Sequence, residues 1–174
     1  TFGFHLATLD VRQNADVHRE VIGRALEDAQ WAERSAEERR LRLGLALERD
    51  ESPTAPLDAA AKRSLWVFEA MGHCSHRYGK PAIGSYVVSM ARDVDDVLSV
   101  LLLAQWAGLA DGPEGVVALD VAPLFESVDT LEHAGDIIRR LLDDPVYRTH
   151  LRTRGNRQVV MIGYADSNKA VGMA

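Results

Sequence analysis

Glu126, Asp166, Lys169 and Arg12 are the side chains of this sequence whose type and placement best suit chemistry. Glu126 closes the run Val121-Ala-Pro-Leu-Phe-Glu126, and Asp166 closes Met161-Ile-Gly-Tyr-Ala-Asp166, so each follows an apolar segment. Two carboxylates brought to one rim of a parallel sheet, with water completing the shell, suit Mg²⁺ or Mn²⁺ and leave positions open for a substrate. The same placement suits an N-cap or first-turn acid of the following helix, and on spacing alone that explanation is the commoner one. Lys169, three residues after Asp166, offers positive charge beside a metal-bound anion or a proton donor, or else a solvated lysine. Arg12 offers a fork of donors for a phosphate or carboxylate, and an ion pair with Asp10 or Asp16 is just as natural.

Other reactive side chains carry less. His73-Cys74-Ser75-His76 lacks the ligand count of a metal centre and reads as a helix end and loop. His5, on an apolar segment, reads as a hydrogen-bonded core or rim residue, and His18 as lining the rim or capping its helix. Trp31, Trp66 and Trp106 fall on helical patterns, where packing is the default role. Neither a glycine-rich phosphate loop nor a Gly-x-Ser-x-Gly elbow is present.

The elements that would position these residues follow from periodicity. Residues 2–11, 82–90, 116–121 and 158–163 are rich in β-branched and apolar residues and read as strands. The last three hold near-continuous apolar runs, the pattern of strands buried on both faces of a parallel sheet. Helical patterns cover 16–30, 57–71, 93–106 and 129–142, with Val97, Leu98, Leu101 and Leu102 on one side of the 93–106 stretch. Ser35-Ala-Glu-Glu38 is a capping box opening a helix through about residue 48, and Pro145 starts a short helix to about residue 152. Residues 50–56, with Ser52-Pro53 and Ala55-Pro56, form the clearest loop.

Strands alternating with helical crossovers predict an α/β fold with about four parallel strands. Polar residues after each buried run favour part of a (β/α)8 barrel of the TIM type over a small open sheet, because such barrels build their sites at the C-terminal strand ends. The expected organisation is one partial barrel domain over residues 1–174, with a helical insertion at 31–80 after the first strand.

Composition sets the surroundings. The chain has 174 residues with 20 Lys and Arg against 26 Asp and Glu, a net charge of −6, which argues against nucleic-acid or anionic-membrane partners. Cys74 is the single cysteine, so no intrachain disulfide forms and a reducing, cytoplasmic setting fits. No apolar stretch reaches the roughly 20 residues of a membrane span, and no signal-peptide layout is present. The start at Thr1, directly into an apolar run, suggests a piece of a longer chain.

Four blocks in one order carry a resemblance. They are Thr1-Phe-Gly-Phe-His-Leu-Ala-Thr-Leu-Asp-Val-Arg-Gln13; Gly84-Ser-Tyr-Val-Val-Ser-Met-Ala91 with Asp96-Val-Leu98; Val121-Ala-Pro-Leu-Phe-Glu126 with Asp129-Thr-Leu131; and Val160-Met-Ile-Gly-Tyr-Ala-Asp-Ser-Asn-Lys169. Together they resemble phosphoenolpyruvate carboxylase over essentially the whole chain. The resemblance implies a segment of a larger α/β-barrel enzyme, a homo-oligomer when complete, that joins bicarbonate to phosphoenolpyruvate, giving oxaloacetate and phosphate. It assigns Mg²⁺ or Mn²⁺ to Glu126 and Asp166, the substrate phosphate to Arg12, and positive charge near the reacting oxygens to Lys169.

Departures from the family pattern accompany it. Ala165 stands where the family usually has Ser, Ala170 where it usually has Asp, and Val171 at a small-residue position. The hydroxyl and carboxylate that would support Asp166 and Lys169 are therefore missing. The family's catalytic His block and its glycine- and arginine-rich loop are not in this chain, so the isolated chain is expected to be inactive. The rival expectation is a catalytically inactive remnant serving as a structural or interaction module.

Overall fold

The computed structural model describes residues 7–111 and 116–163. His5, Asp166, Lys169 and the alanines at 165 and 170 lie outside the described residues. The elements are β1 (Leu9–Asn14), α1 (Ala15–Ala25), α2 (Ala36–Glu48), α3 (Ala59–Tyr78), β2 (Ile83–Ser89), α4 (Val94–Trp106), β3 (Ala110–Asp111), β4 (Val116–Val117), β5 (Asp120–Phe125), α5 (Val128–Asp143), α6 (Pro145–Thr153) and β6 (Met161–Ile162). β1, β2, β5 and β6 form a parallel sheet in that order, and β3 and β4 form a short antiparallel pair.

Several boundaries differ from the sequence expectation, each for a physical reason. β1 runs on to Asn14, because Arg12, Gln13 and Asn14 pair in register with Val87, Val88 and Ser89. Arg12 is thus inside the strand, not beyond it. The third parallel strand begins at Asp120, and Val116–Val117 pairs instead with Ala110–Asp111. Pro123 sits inside β5, where Leu124 C=O accepts from Ala91 N–H on the β2 side and Phe125 C=O accepts from Gly163 N–H on the β6 side. That alternation turns the missing N–H of Pro123 toward β6, which pairs only with Leu124 and Phe125.

Helix ends follow local chemistry. Ser35 and Glu38 complete the capping box reciprocally, and Asp58, Asp93 and Ser127 each cap a helix through a side-chain oxygen. α3 extends to Tyr78, so His73, Cys74, Ser75 and His76 are helical rather than a helix end and loop. Trp66 on the same helix is 67% exposed, against the packing expected of it, whereas Trp31 is buried and Trp106 donates its indole N–H to Glu51 C=O.

The helices share one face of the sheet. Tyr86, Val88, Val121 and Phe125 point into a large core with α1 to α6, while Val87, Ala122 and Leu124 form a small cluster on the opposite face. α4 is the hub: residues 94–104 are all buried, including Asp95 and Asp96, rather than one apolar side as the spacing suggested. Beneath α4, Phe68 stacks on Tyr86 at 4.7 Å, and Tyr86 shares a 2.9 Å hydrogen bond with His18 Nε2.

Burial sets the acid response. Loss of hydration pushes His18 down to about 4, and burial reinforced by Arg154 pushes His150 down to about 4. Burial, with repulsion from Asp95, raises Asp96 to about 6. Between pH 6.5 and 4 the unfolded chain binds protons at both histidines that the folded chain refuses, so stability falls on acidification. Asp96 has the opposite sign, since the folded chain takes up its proton first. The net expectation is a loss of about 2 kcal/mol between pH 7 and pH 5, read from urea midpoints. A flat profile over that range would show that the histidines are not held neutral.

β6 departs from the buried strand expected of residues 158–163. Val160 and Met161 are each 38% exposed and Ile162 is 72% exposed, because β6 has one strand neighbour among the described residues. An apolar edge strand with one neighbour among the described residues invites strand addition. The chain is expected to self-associate, and Ile162→Lys to shift sedimentation toward monomer; a wild-type chain that sediments as a monomer at every concentration rules this out.

Candidate functional site

Parallel strands end together, so Asn14, Ser89, Phe125 and Ile162 mark one rim of the sheet. Glu126 leaves β5 at that rim with 6% of its surface exposed. Its Oε1 accepts a 2.7 Å bond from Arg12 Nη2, and its Oε2 accepts a 2.9 Å bond from the backbone N–H of Met90. On its third side is Gly163, where a Cβ would stand 2.7 Å from Glu126 Cγ. One carboxylate therefore meets the C-terminal ends of β2 and β6 and the side chain of a β1 residue.

The capping explanation for Glu126 does not hold. Ser127 is the N-cap of α5, its side chain accepting from Thr130 N–H. Glu126 is left for the rim, and charge-assisted hydrogen bonds keep it in place.

Arg12 is on the sheet face opposite the helices, in line with Val87 and Ala122. Its side chain is 57% exposed although one nitrogen is held by Glu126. The alternative partners are engaged elsewhere: Asp10 Oδ1 accepts from Ser85 N–H at 2.9 Å, and Asp16 pairs with Arg92. Arg12 can thus keep Glu126 with one nitrogen and present the others to an anion in solvent.

His18 belongs to the helix-side core, fully buried against Tyr86, and neither lines the rim nor caps α1, whose N-cap is Asn14. Among the described residues no group of three His, Cys, Asp or Glu side chains is spaced to hold a metal ion. Glu126 contributes one carboxylate, and its intended companion Asp166 lies outside the described residues.

Two features escaped the sequence reading. Met90, with φ of +55°, supplies the amide that fixes Glu126; a methionine gives no signal of a left-handed turn. Beside the rim, Arg19 bonds Asp96 at 2.7 Å and Arg39 bonds Asp95 at 2.6 Å, both acids fully buried in the first turn of α4. The Arg92 N–H also donates to Asp96, at 2.8 Å, tying the segment after β2 to this network.

A model of the family described as phosphoenolpyruvate carboxylase matches residues 1–174. The chain belongs to the phosphoenolpyruvate carboxylase family. A phosphoenolpyruvate carboxylase of Xanthomonas campestris is 45% identical over 174 residues, covering 100% of this chain and 19% of that protein. Those of Mycobacterium avium and Azoarcus are 40% and 39% identical, each over 98% of this chain and 19% of their own length. The chain thus spans about one-fifth of the phosphoenolpyruvate carboxylases it matches.

Proposed function

We propose that this chain supplies part of the catalytic barrel of a carboxy-lyase that joins phosphoenolpyruvate and bicarbonate to give oxaloacetate and phosphate. The observation that carries this reading is Glu126, a buried rim carboxylate bonded by Arg12 and the Met90 amide, in a chain of this family. Strand order without reversal and helices on one face support a (β/α)8 barrel, with Arg12 facing its interior. Residues 31–80 then form an insertion, since α2 and α3 are additional to the single helix a β–α–β crossover needs. The remainder of the barrel comes from the rest of a longer polypeptide, which forms a homo-oligomer in the cytoplasm. No helix among the described residues is long and apolar enough to cross a membrane.

The donor set suits Mg²⁺ or Mn²⁺. Glu126 spends one lone pair on each oxygen, at Arg12 and Met90, and retains one on each. Gly163 lets β6 pack directly against Glu126, since a Cβ there would stand 2.7 Å from Glu126 Cγ, and Asp166 follows three residues later in the sequence. Glu126 and Asp166 would hold the ion, which when bound supplies Lewis-acid stabilisation of charge developing on a substrate oxygen. Arg12 binds and orients the phosphate group through its exposed nitrogens. Lys169 adds positive charge near the reacting oxygens.

Calorimetry with Mn²⁺ tests this. The wild-type chain is expected to bind the ion, and the double variant Glu126→Ala with Asp166→Ala to lose binding; equal affinity in both refutes the ligand assignment. Ala165 and Ala170, where the family usually has Ser and Asp, favour a second reading, an inactive structural or interaction module. Ala165→Ser with Ala170→Asp distinguishes them, because restored support should raise Mn²⁺ affinity only if a site is present to be supported.

A further inference from the structure

We propose that Met90 is a positioning residue for Glu126 and acts through its main chain. The inference rests on the reading of Glu126 as a metal ligand. Met90 has φ of +55°, in the left-handed region that a non-glycine residue occupies at a cost of about 1–2 kcal/mol. Packing does not explain that conformation, since Met90 is 41% exposed. Hydrogen bonding does: the turn aims two successive amides at β5, Met90 N–H to Glu126 Oε2 at 2.9 Å and Ala91 N–H to Leu124 C=O at 3.3 Å.

The two oxygens of Glu126 are consequently held by unlike partners. Oε1 is bonded by Arg12, a long and 57% exposed side chain whose other nitrogens are shared with an anion from solvent. Oε2 is bonded by a main-chain amide fixed at the end of β2. Gly163 closes the remaining side, since a Cβ there would also stand 3.1 Å from Glu126 Cα and Cβ. With the other nitrogens of Arg12 given to a substrate anion, the Met90 amide is the partner of Glu126 that no ligand shares, and it keeps the carboxylate in the orientation a metal ion requires, a role in which loss typically weakens metal binding about 10–100-fold.

The test separates main chain from side chain. Met90→Val introduces a β-branched residue that resists positive φ, and is expected to weaken Mn²⁺ binding by calorimetry about 10–100-fold. Met90→Asn introduces a residue that accepts the left-handed region, and is expected to stay within about threefold of wild type. A second measurement needs no change at Met90. With ¹⁵N-methionine labelling the chain has four methionines, and the Met90 amide resonance is expected to move on Mg²⁺ addition in wild type but not in Glu126→Ala. This measurement decides the matter should Met90→Val not fold. Wild-type affinity in Met90→Val, an equal loss in Met90→Asn, or an unmoved Met90 amide in a chain that binds Mn²⁺ each overturns the proposal. A folded wild-type chain that binds no Mn²⁺ overturns the metal reading itself, and the inference with it.

Discussion

Glu126→Ala should abolish metal-dependent carboxylation in a full-length polypeptide carrying this chain, lowering kcat/KM at least about a thousandfold. That figure corresponds to about 4 kcal/mol of charge stabilisation, within what a Lewis-acid ion contributes. The substitution removes at once the carboxylate at the rim, the acceptor for Met90 N–H and the partner of Arg12. The fold should tolerate it, because Arg12 is 57% exposed and can be rehydrated, so far-ultraviolet circular dichroism and the urea midpoint are expected to change little. Glu126→Gln keeps an acceptor for the amide but not the charge, and should recover only a small part of the activity. Undiminished turnover in Glu126→Ala would remove Glu126 from the ligand set.

Asp95→Ala carries the largest expected cost to stability. Arg39 is 7% exposed, and its Nε bonds Asp95 at 2.6 Å. Removing the acid leaves a nearly buried guanidinium with the Arg34 carbonyl and no anion beside it, a change that costs about 3–5 kcal/mol. Total stabilities of domains are about 5–15 kcal/mol, so much of the folded population would be lost. The neighbouring acid, Asp96, is already paired with Arg19 at 2.7 Å and does not replace Asp95 as the partner of Arg39. Equilibrium urea unfolding measures the change. A loss below about 1 kcal/mol would mean that Arg39 finds another acceptor. Replacing both partners, Asp95→Leu with Arg39→Met, should recover much of the loss, since two apolar groups leave no charge unpaired.

The elements were largely legible because their signals are local. A capping box, a Pro at a helix start and alternating polar and apolar runs depend on residues a few positions apart, and α2, α4, α5 and α6 are close to where the sequence put them. The third parallel strand was misplaced because its pairing is not local. Val116–Val117 and Val121–Phe125 are equally good strand material, and only the partners available, Ala110–Asp111 for one and β2 for the other, assign them. α4 read as amphipathic for a related reason. Asp95 and Asp96 look like solvent-facing first-turn acids until Arg39, 56 positions before Asp95, and Arg19, 77 positions before Asp96, arrive to neutralise them.

The candidate site divides the same way. The residue types, their order after apolar runs and the family they belong to were fixed by the one-dimensional pattern, because a carboxylate after a buried strand is a statement about neighbours in the chain. Whether Arg12 served Asp10, Asp16 or Glu126 was open until the parallel pairing of β1, β2 and β5 carried it across the sheet, 114 positions from its partner. The Met90 amide has no sequence signature, since every residue but proline has an N–H and its direction is a property of the backbone dihedrals around it and of strand register.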